Sequence, residues 1–170
     1  MFIRLEELKL HRISFAKTYP EGAVEYHTSD YRQSGDLRVE GAAELVGDEI
    51  HLRGRIATRV VTTCDRCLDT VEVPVETEFD LFYRPESTLA QEEEVKISPA
   101  ELDVGFYTGD GLDLGDVVAE RVNLFMPMKT LCRAECKGLC PSCKKNLNQG
   151  ECQCAPPAAH DSPFAAVLNE

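Results

Sequence analysis

The chain has 170 residues, with 30 acidic and 18 basic side chains and a formal net charge of −12 at pH 7. This length predicts one domain with a small appendage, and the lack of any run of about 18 apolar residues argues against a membrane-spanning helix. The charged N-terminus lacks the apolar core of a signal peptide, so we expect a cytoplasmic protein. In that reducing compartment, eight cysteines indicate metal or thiol chemistry rather than structural disulfides.

Negative charge is concentrated in the middle of the chain. Residues 76–116 contain twelve acidic side chains and only two basic ones. Such a surface disfavours broad attachment to nucleic-acid phosphate. It leaves room for a local basic contact or for a basic protein partner.

Two long stretches with a period of two predict paired strands. Residues 50–60 and 71–81 place apolar side chains at every second position, which is typical of half-buried strands. Folding them back around residues 64–67 puts the apolar side chains on one face and the arginines beside acidic residues. A slip by one residue would place apolar side chains opposite charges, so the register is well specified.

The preceding stretch extends this pair into a three-stranded antiparallel meander. A tight turn at residues 46–49 sets Val39 opposite Ile56 and Glu40 opposite Arg55. Arg55 is then expected to lie between Glu40 and Glu76. Residues 9–35 carry little signal.

A helical period begins after Asp113, a plausible N-cap, and ends before Pro127. Its apolar positions are Leu114, Val117, Val118, Val122 and Phe125. The predicted fold class is therefore α+β, with an antiparallel meander or partly closed sheet covered by one helix. We assign residues 1–128 to this part and residues 129–170 to a cysteine-rich, zinc-stapled segment. A short C-terminal helix is expected from Ser162 to Leu168, because Ser-Pro begins it and apolar residues recur at helical spacing.

The cysteines form four close pairs, and such pairs let one turn present two thiolates to a structural zinc ion. Eight residues separate Cys143 from Cys152, enough to reverse the chain, whereas only three separate Cys136 from Cys140. The spacing therefore favours two zinc sites, with one or two Zn²⁺ ions per chain. The C-terminal cysteine group would comprise Cys140, Cys143, Cys152 and Cys154. The tip cysteine group would comprise Cys64, Cys67, Cys132 and Cys136.

Four thiolates leave no open position on zinc, so these sites would be structural. The alternative interpretation is a zinc-regulated thiol protein, either an oxidoreductase or a redox-switched chaperone. Reactive Cys-x-x-Cys couples usually lie at a helix N-terminus, whereas strands flank Cys64 and Cys67. No nucleophile elbow, phosphate-binding loop or dinucleotide fingerprint is present. We therefore predict a non-enzymatic protein without a small-molecule substrate.

The arginines of the meander have acidic neighbours and no interleaved aromatic side chains, so they make a poor RNA platform. A better candidate is a basic set within residues 129–150, where only Glu135 is acidic. Its members are Lys129, Arg133, Lys137, Lys144 and Lys145. These side chains could contact RNA or could simply balance the negative charge of the zinc–thiolate centres, and both interpretations remain open.

Several distinctive segments occur together in the second half of the chain. They are Cys64-Asp-Arg-Cys67-Leu68, Met126-Pro127-Met128, the run from Leu131 to Cys143, Asn146-Leu147-Asn148, Cys152-Gln-Cys154 and Asp161-Ser162-Pro163-Phe164. With the strands before them, they resemble the YceD family of large-ribosomal-RNA accumulation proteins over roughly residues 36–170. Lys144 departs from the pattern, since cysteine turns of this kind often have glycine at that position.

This resemblance implies a non-catalytic role in the synthesis, processing or stability of large-subunit ribosomal RNA. It implies as partner either that RNA or a ribosomal or assembly protein. The family pattern does not supply the molecular mechanism, because an acidic factor can hold a basic ribosomal protein as readily as it binds RNA.

Overall fold

The computed structural model describes residues 1–91 and 104–154. Its contacts divide into two compact units. Among the described residues, the sheet unit contains residues 1–62, 72–91 and 104–128, and the cysteine unit contains residues 63–71 and 129–154. The helix expected from Ser162 to Leu168 lies outside the described residues. In the part that is described, no helix has the length and apolar character needed to cross a bilayer.

The described chain contains eight strands and two α-helices. In chain order they are β1 (Phe2–Arg4), α1 (Leu5–Leu8), β2 (Ile13–Tyr19), β3 (Tyr31–Gln33), β4 (Leu37–Val46), β5 (Glu49–Thr63), β6 (Thr70–Pro85), a 3₁₀ helix (Glu86–Gln91), β7 (Val104–Tyr107), β8 (Gly111–Asp113) and α2 (Leu114–Phe125). Strands β1 and β8 form a separate antiparallel pair.

The main sheet has the order β2-β4-β5-β6-β7, and β3 pairs with β5 beyond the end of β4. Between β4 and β5 the predicted register is confirmed, since Val39 lies opposite Ile56 and Glu40 opposite Arg55. Strand β2 pairs antiparallel with β4. It was not predicted, because residues 9–35 show no clear strand pattern. Strand β7 pairs in parallel with the end of β6. The α+β class is confirmed, with one parallel pair in a mostly antiparallel sheet.

Helix α2 packs its apolar side chains into the same core as the sheet. Asp113 caps it as predicted, because its Oδ1 accepts a hydrogen bond from the Gly115 N–H at 2.6 Å. Phe125, which the helical pattern assigned to the apolar stripe, is 39% exposed. The fully buried side chains of β5 are those of Ile50, Leu52, Ile56 and Val60.

Two glycines on the core face let aromatic rings lie directly over the sheet. Gly41 and Gly54 face each other across β4 and β5. A Cβ at Gly41 would lie 2.9 Å from Cζ of Phe15, and one at Gly54 would lie 2.8 Å from Cζ of Phe79. Any side chain at either position would displace a buried ring.

On the outer face of the sheet, charged side chains largely compensate one another. Arg55 pairs with Glu40 at 2.6 Å, whereas the described contacts include no ion pair between Arg55 and Glu76. Across β5 and β6, His51 meets Asp80 at 2.5 Å. An exposed pair such as that of Arg55 with Glu40 is worth at most about 1 kcal/mol.

Candidate metal centres

All eight cysteines lie within the described residues, and all are free thiols. Their sulfur atoms fall into two sets of four, and within each set every sulfur lies within 4.8 Å of the others. These sets have the same members as the tip group and the C-terminal group expected from the spacing. Each arrangement could hold a metal ion.

The first half of the tip group is a tight turn at residues 64–69 that connects β5 to β6. The Leu68 N–H donates to the Cys64 carbonyl at 2.9 Å, and the Cys64 N–H donates to the Asp69 carbonyl at 2.8 Å. Leu68 adopts a left-handed conformation with φ of 60°. This geometry turns the side chains of Cys64 and Cys67 to the same side.

The C-terminal group begins with the same turn. The Lys144 N–H donates to the Cys140 carbonyl at 2.9 Å, and the Cys140 N–H donates to the Lys145 carbonyl at 2.9 Å. Lys144 also has a φ of 60°. Because L side chains rarely adopt this conformation, Lys144 occupies a position that favours glycine.

The second half of the tip group comes from far along the chain. Cys64 Sγ lies 3.8 Å from Cys136 Sγ, across a sequence separation of 72 residues. Cys67 Sγ lies 3.6 Å from Cys132 Sγ, across 65 residues. Three of these four cysteines are buried, and Val71, Leu131 and Leu139 pack against them in a small core. In the C-terminal group only Cys140 is buried.

Backbone N–H groups stabilise the thiolate of the first cysteine in each turn. At Cys64, burial raises the pKa, but hydrogen bonds from the N–H groups of Cys132, Cys67 and Arg66 outweigh it and lower the pKa to about 6. At Cys140, the N–H of Cys143 is the largest cause that lowers the pKa to about 6. A turn that keeps one cysteine ionised at neutral pH favours binding of a soft metal cation.

Neighbouring sulfurs oppose further ionisation within each set. The N–H of Asp69 lowers the pKa of Cys67, but burial and the adjacent sulfurs raise it well above its usual range. The side chain of Cys143 is the largest cause that raises the pKa of Cys154 to about 12. In each set, therefore, four sulfur atoms lie close together and cannot all be negatively charged near neutral pH. A bound cation would supply the positive charge that stabilises four thiolates.

Around the tip group lies a layer of polar side chains that sequence reasoning did not identify. Asn148 donates from Nδ2 to Cys136 Sγ at 3.3 Å, and this hydrogen bond is the largest cause that lowers the pKa of Cys136. Asn146 donates to Asp69 at 2.9 Å, and Arg66 donates to the Cys136 carbonyl at 2.8 Å. The two asparagines were noted in the sequence only as loop and family residues, and no spacing rule marks them as partners of a thiol.

The five basic residues of the candidate RNA contact are all exposed. Arg133 donates to Asn148 Oδ1 at 2.8 Å, and the Lys145 ammonium donates to the Glu151 carbonyl at 2.8 Å. These two side chains therefore have structural contacts within the cysteine unit. Lys129, Lys137 and Lys144 are exposed, and the described contacts include no side-chain ion pair for them.

The sequence is similar to those of several known proteins and matches a family model. Uncharacterized proteins of Mycobacterium bovis and Mycobacterium tuberculosis are each 34% identical over 109 residues, which is 64% of this chain and 48% of the relative. One of Mycobacterium leprae is 30% identical over 113 residues, or 66% of this chain and 48% of the relative. The chain thus spans about half the length of the curated relatives it matches. No solved structure matches it.

A family model matches residues 52–169, a range that includes all eight cysteines and both turns. Its description is "Large ribosomal RNA subunit accumulation protein YceD". Since the match covers well over half of the sequence, the chain belongs to the YceD family.

Proposed function

We propose that this protein is a non-enzymatic, zinc-binding factor that supports the synthesis, processing or stability of large-subunit ribosomal RNA. The observation that carries the proposal is the coincidence of two four-sulfur sets with the region matched by the family model. The grouping of eight cysteines into two sets that could hold metal, rather than into disulfides, supports a cytoplasmic location.

Zinc is the metal that fits this donor set best. Four thiolates on tight turns supply the tetrahedral, all-sulfur environment of structural zinc, and they leave no coordination position for a substrate. Hydrogen bonds to sulfur from backbone N–H groups and from Asn148 are of the kind that tune such centres. The metal would act as a staple because, in the described part of the cysteine unit, the apolar core is small and consists of buried cysteines with Val71, Leu131 and Leu139.

The partner of the cysteine unit is proposed to be large-subunit ribosomal RNA or a protein that assembles with it. The candidate contact is the exposed basic set Lys129, Arg133, Lys137, Lys144 and Lys145. Among these, Lys129, Lys137 and Lys144 are the best candidates for phosphate contact, because Arg133 and Lys145 already have contacts inside the unit.

The second candidate function is that of a zinc-regulated thiol protein. One observation favours it, namely that Cys143 and Cys154 of the C-terminal group are exposed and accessible to oxidant. The tip group offers less support, since Cys64 and Cys67 are buried.

A test in cells compares the ratio of large- to small-subunit ribosomal RNA in a deletion strain and in strains that carry variants. We expect the deletion to lower this ratio. The variant Lys129→Glu/Lys137→Glu/Lys144→Glu should restore it poorly and should co-sediment less with large-subunit precursors. A matched variant, Lys9→Glu/Arg12→Glu/Lys17→Glu, reverses three exposed charges of the sheet unit for which the described contacts include no ion pair, and it should restore the ratio.

Three outcomes would contradict parts of the proposal. An unchanged ratio in the deletion strain, with a defect only under oxidative stress, would favour the thiol protein. Equal loss of co-sedimentation with both triple variants would place the contact outside the proposed basic set. Elemental analysis of reduced protein should find about two zinc ions per chain, and absence of metal would exclude the zinc staple.

A further inference from the structure

A loop that belongs to the C-terminal cysteine group lies against the tip cysteine group. Residues 144–151 connect the two halves of the C-terminal group, Cys140/Cys143 and Cys152/Cys154. The Leu147 N–H in this loop donates to the Gly138 carbonyl at 2.9 Å. Asn146 forms a backbone bridge with Leu139, which packs against the tip group. An interaction that brings Cys140 and Cys143 together with Cys152 and Cys154 therefore also holds this loop beside the tip group.

Asn148 is the side chain through which the loop reaches a tip-group sulfur. Its Oδ1 accepts from Arg133 Nη2 at 2.8 Å and from the Lys137 N–H at 2.9 Å. These two donors fix the orientation of the amide, so Nδ2 points to Cys136 Sγ at 3.3 Å. The Asn148 N–H donates in turn to Asn146 Oδ1 at 3.0 Å.

Asn146 extends the network to the other half of the tip group. Its Nδ2 donates to Asp69 Oδ2 at 2.9 Å, in the turn that carries Cys64 and Cys67. Asn148 thus contacts Cys136 directly, and Asn146 contacts the turn that carries the other half of the tip group.

From these contacts we propose that Asn148 is a positioning residue that couples the two metal centres, so that metal bound at the C-terminal group strengthens metal binding at the tip group. The inference rests on the proposed metal binding. Closure of the loop by a metal at Cys140, Cys143, Cys152 and Cys154 limits the positions that Asn148 can adopt. The hydrogen bond to Cys136 then forms at a smaller entropic cost. Because coupling between binding sites is reciprocal, the tip group strengthens binding at the C-terminal group by the same factor.

The experiment uses the full chain with cadmium as a spectroscopic substitute for zinc, because cadmium NMR gives a separate signal for each four-sulfur site. Competition with a chelator measures the affinity of each group. Asn148→Asp keeps an oxygen for Arg133 and Lys137 but places a carboxylate oxygen against Cys136 Sγ. We expect tip-group affinity to fall about 10- to 100-fold, as is usual when a hydrogen bond to a metal ligand is lost. Gln149→Ala, an exposed neighbour in the same loop, should leave it unchanged.

Coupling is measured by removing part of the C-terminal group with Cys152→Ser/Cys154→Ser. A further variant, Asn148→Ala, removes the hydrogen bond to Cys136 without adding a charge. Tip-group affinity should fall about as much in Cys152→Ser/Cys154→Ser as in Asn148→Ala. Combining these changes should cause no additional loss, because both interrupt the same contact. The reciprocal variant Cys64→Ser/Cys132→Ser should weaken the C-terminal group by the same factor. Unchanged tip affinity after Cys152→Ser/Cys154→Ser, or full additivity with Asn148→Ala, would overturn the coupling while leaving two metal sites intact. A full chain that binds neither zinc nor cadmium would instead overturn the metal-binding function itself.

Discussion

The two cysteine groups start from the same turn and end in different environments. Cys64 and Cys140 each begin a Cys-x-x-Cys turn with matching backbone hydrogen bonds and a left-handed residue after the second cysteine. In the tip group, Cys64, Cys67 and Cys136 are at most 3% exposed, whereas in the C-terminal group only Cys140 is buried. The same turn therefore presents two cysteine sulfurs both where the cysteines are buried from solvent and where most of them are exposed.

This difference indicates two ways of stabilising a small centre. In the tip group, the sulfurs pack with Val71, Leu131 and Leu139 and form part of an apolar core. The C-terminal group has no such cluster among the described residues, so we expect its order to depend almost wholly on bound metal. The following predictions test this contrast.

Removal of metal should have the largest effect. A structural zinc ion contributes apparent binding free energies of about 10–16 kcal/mol in small zinc domains. When a chelator is added to reduced protein, we expect the C-terminal group to lose its metal first, since its sulfurs are more accessible. Hydrogen exchange should show loss of protection at the Lys144 amide before loss at the Leu68 amide.

The control for this experiment is the sheet unit, where the amides of β4 and β5 should stay protected. Simultaneous loss of protection at Lys144 and Leu68 would show that the two groups open as one unit. The contrast between them would then be wrong.

Truncation of the small apolar core should have an intermediate effect. Leu139→Ala removes a side chain that packs against the tip group, and we expect a loss of about 2 kcal/mol, at the lower end for leucine because Leu139 is only partly buried. The measurement is chemical denaturation of the metal-loaded protein, followed by a probe in the cysteine unit. Leu68→Ala, at a site that is 63% exposed in the same group, is the matched control and should change stability by less than about 0.5 kcal/mol. Equal losses for the two variants would mean that apolar packing does not distinguish the tip group.

The smallest effect should come from the left-handed residues. Lys144→Gly and Leu68→Gly each remove a Cβ from a residue with φ of 60°, and we expect each to stabilise its turn by about 1 kcal/mol or less. Lys144→Ala removes the charge but keeps the strain, so it should not stabilise. A gain at one turn and a loss at the other would show that the turns are not equivalent.

Those parts of the molecule that repeat with a simple period were predictable from sequence. The alternation along β4 and β5 specified both the strands and the pairing of Val39 with Ile56. The two groups of cysteines have the members that loop length favoured, because eight residues leave room to reverse the chain between Cys143 and Cys152, whereas the three between Cys136 and Cys140 leave little.

Features without a periodic signal were not predictable. Strand β2 has too few alternating apolar residues to be recognised, and its pairing with β4 depends on Phe15 covering Gly41. Asn148 lies beside Cys136 only because the loop folds back, a tertiary event that no local pattern encodes. The parallel pairing of β7 with β6 likewise joins residues that are distant in sequence, such as Phe82 and Val104, and no local pattern encodes it.

The long separation between the halves of the tip group has a consequence for synthesis of the chain. Cys67 leaves the ribosome 65 residues before its partner Cys132. At about 5–20 residues per second, that interval is on the order of 3–13 s. During this time the thiols of Cys64 and Cys67 lack their two partner cysteines and are exposed to oxidants and to competing metals. A nascent chain would therefore be most vulnerable to wrong disulfides at this stage, and metal supply would matter most once Cys132 and Cys136 have emerged.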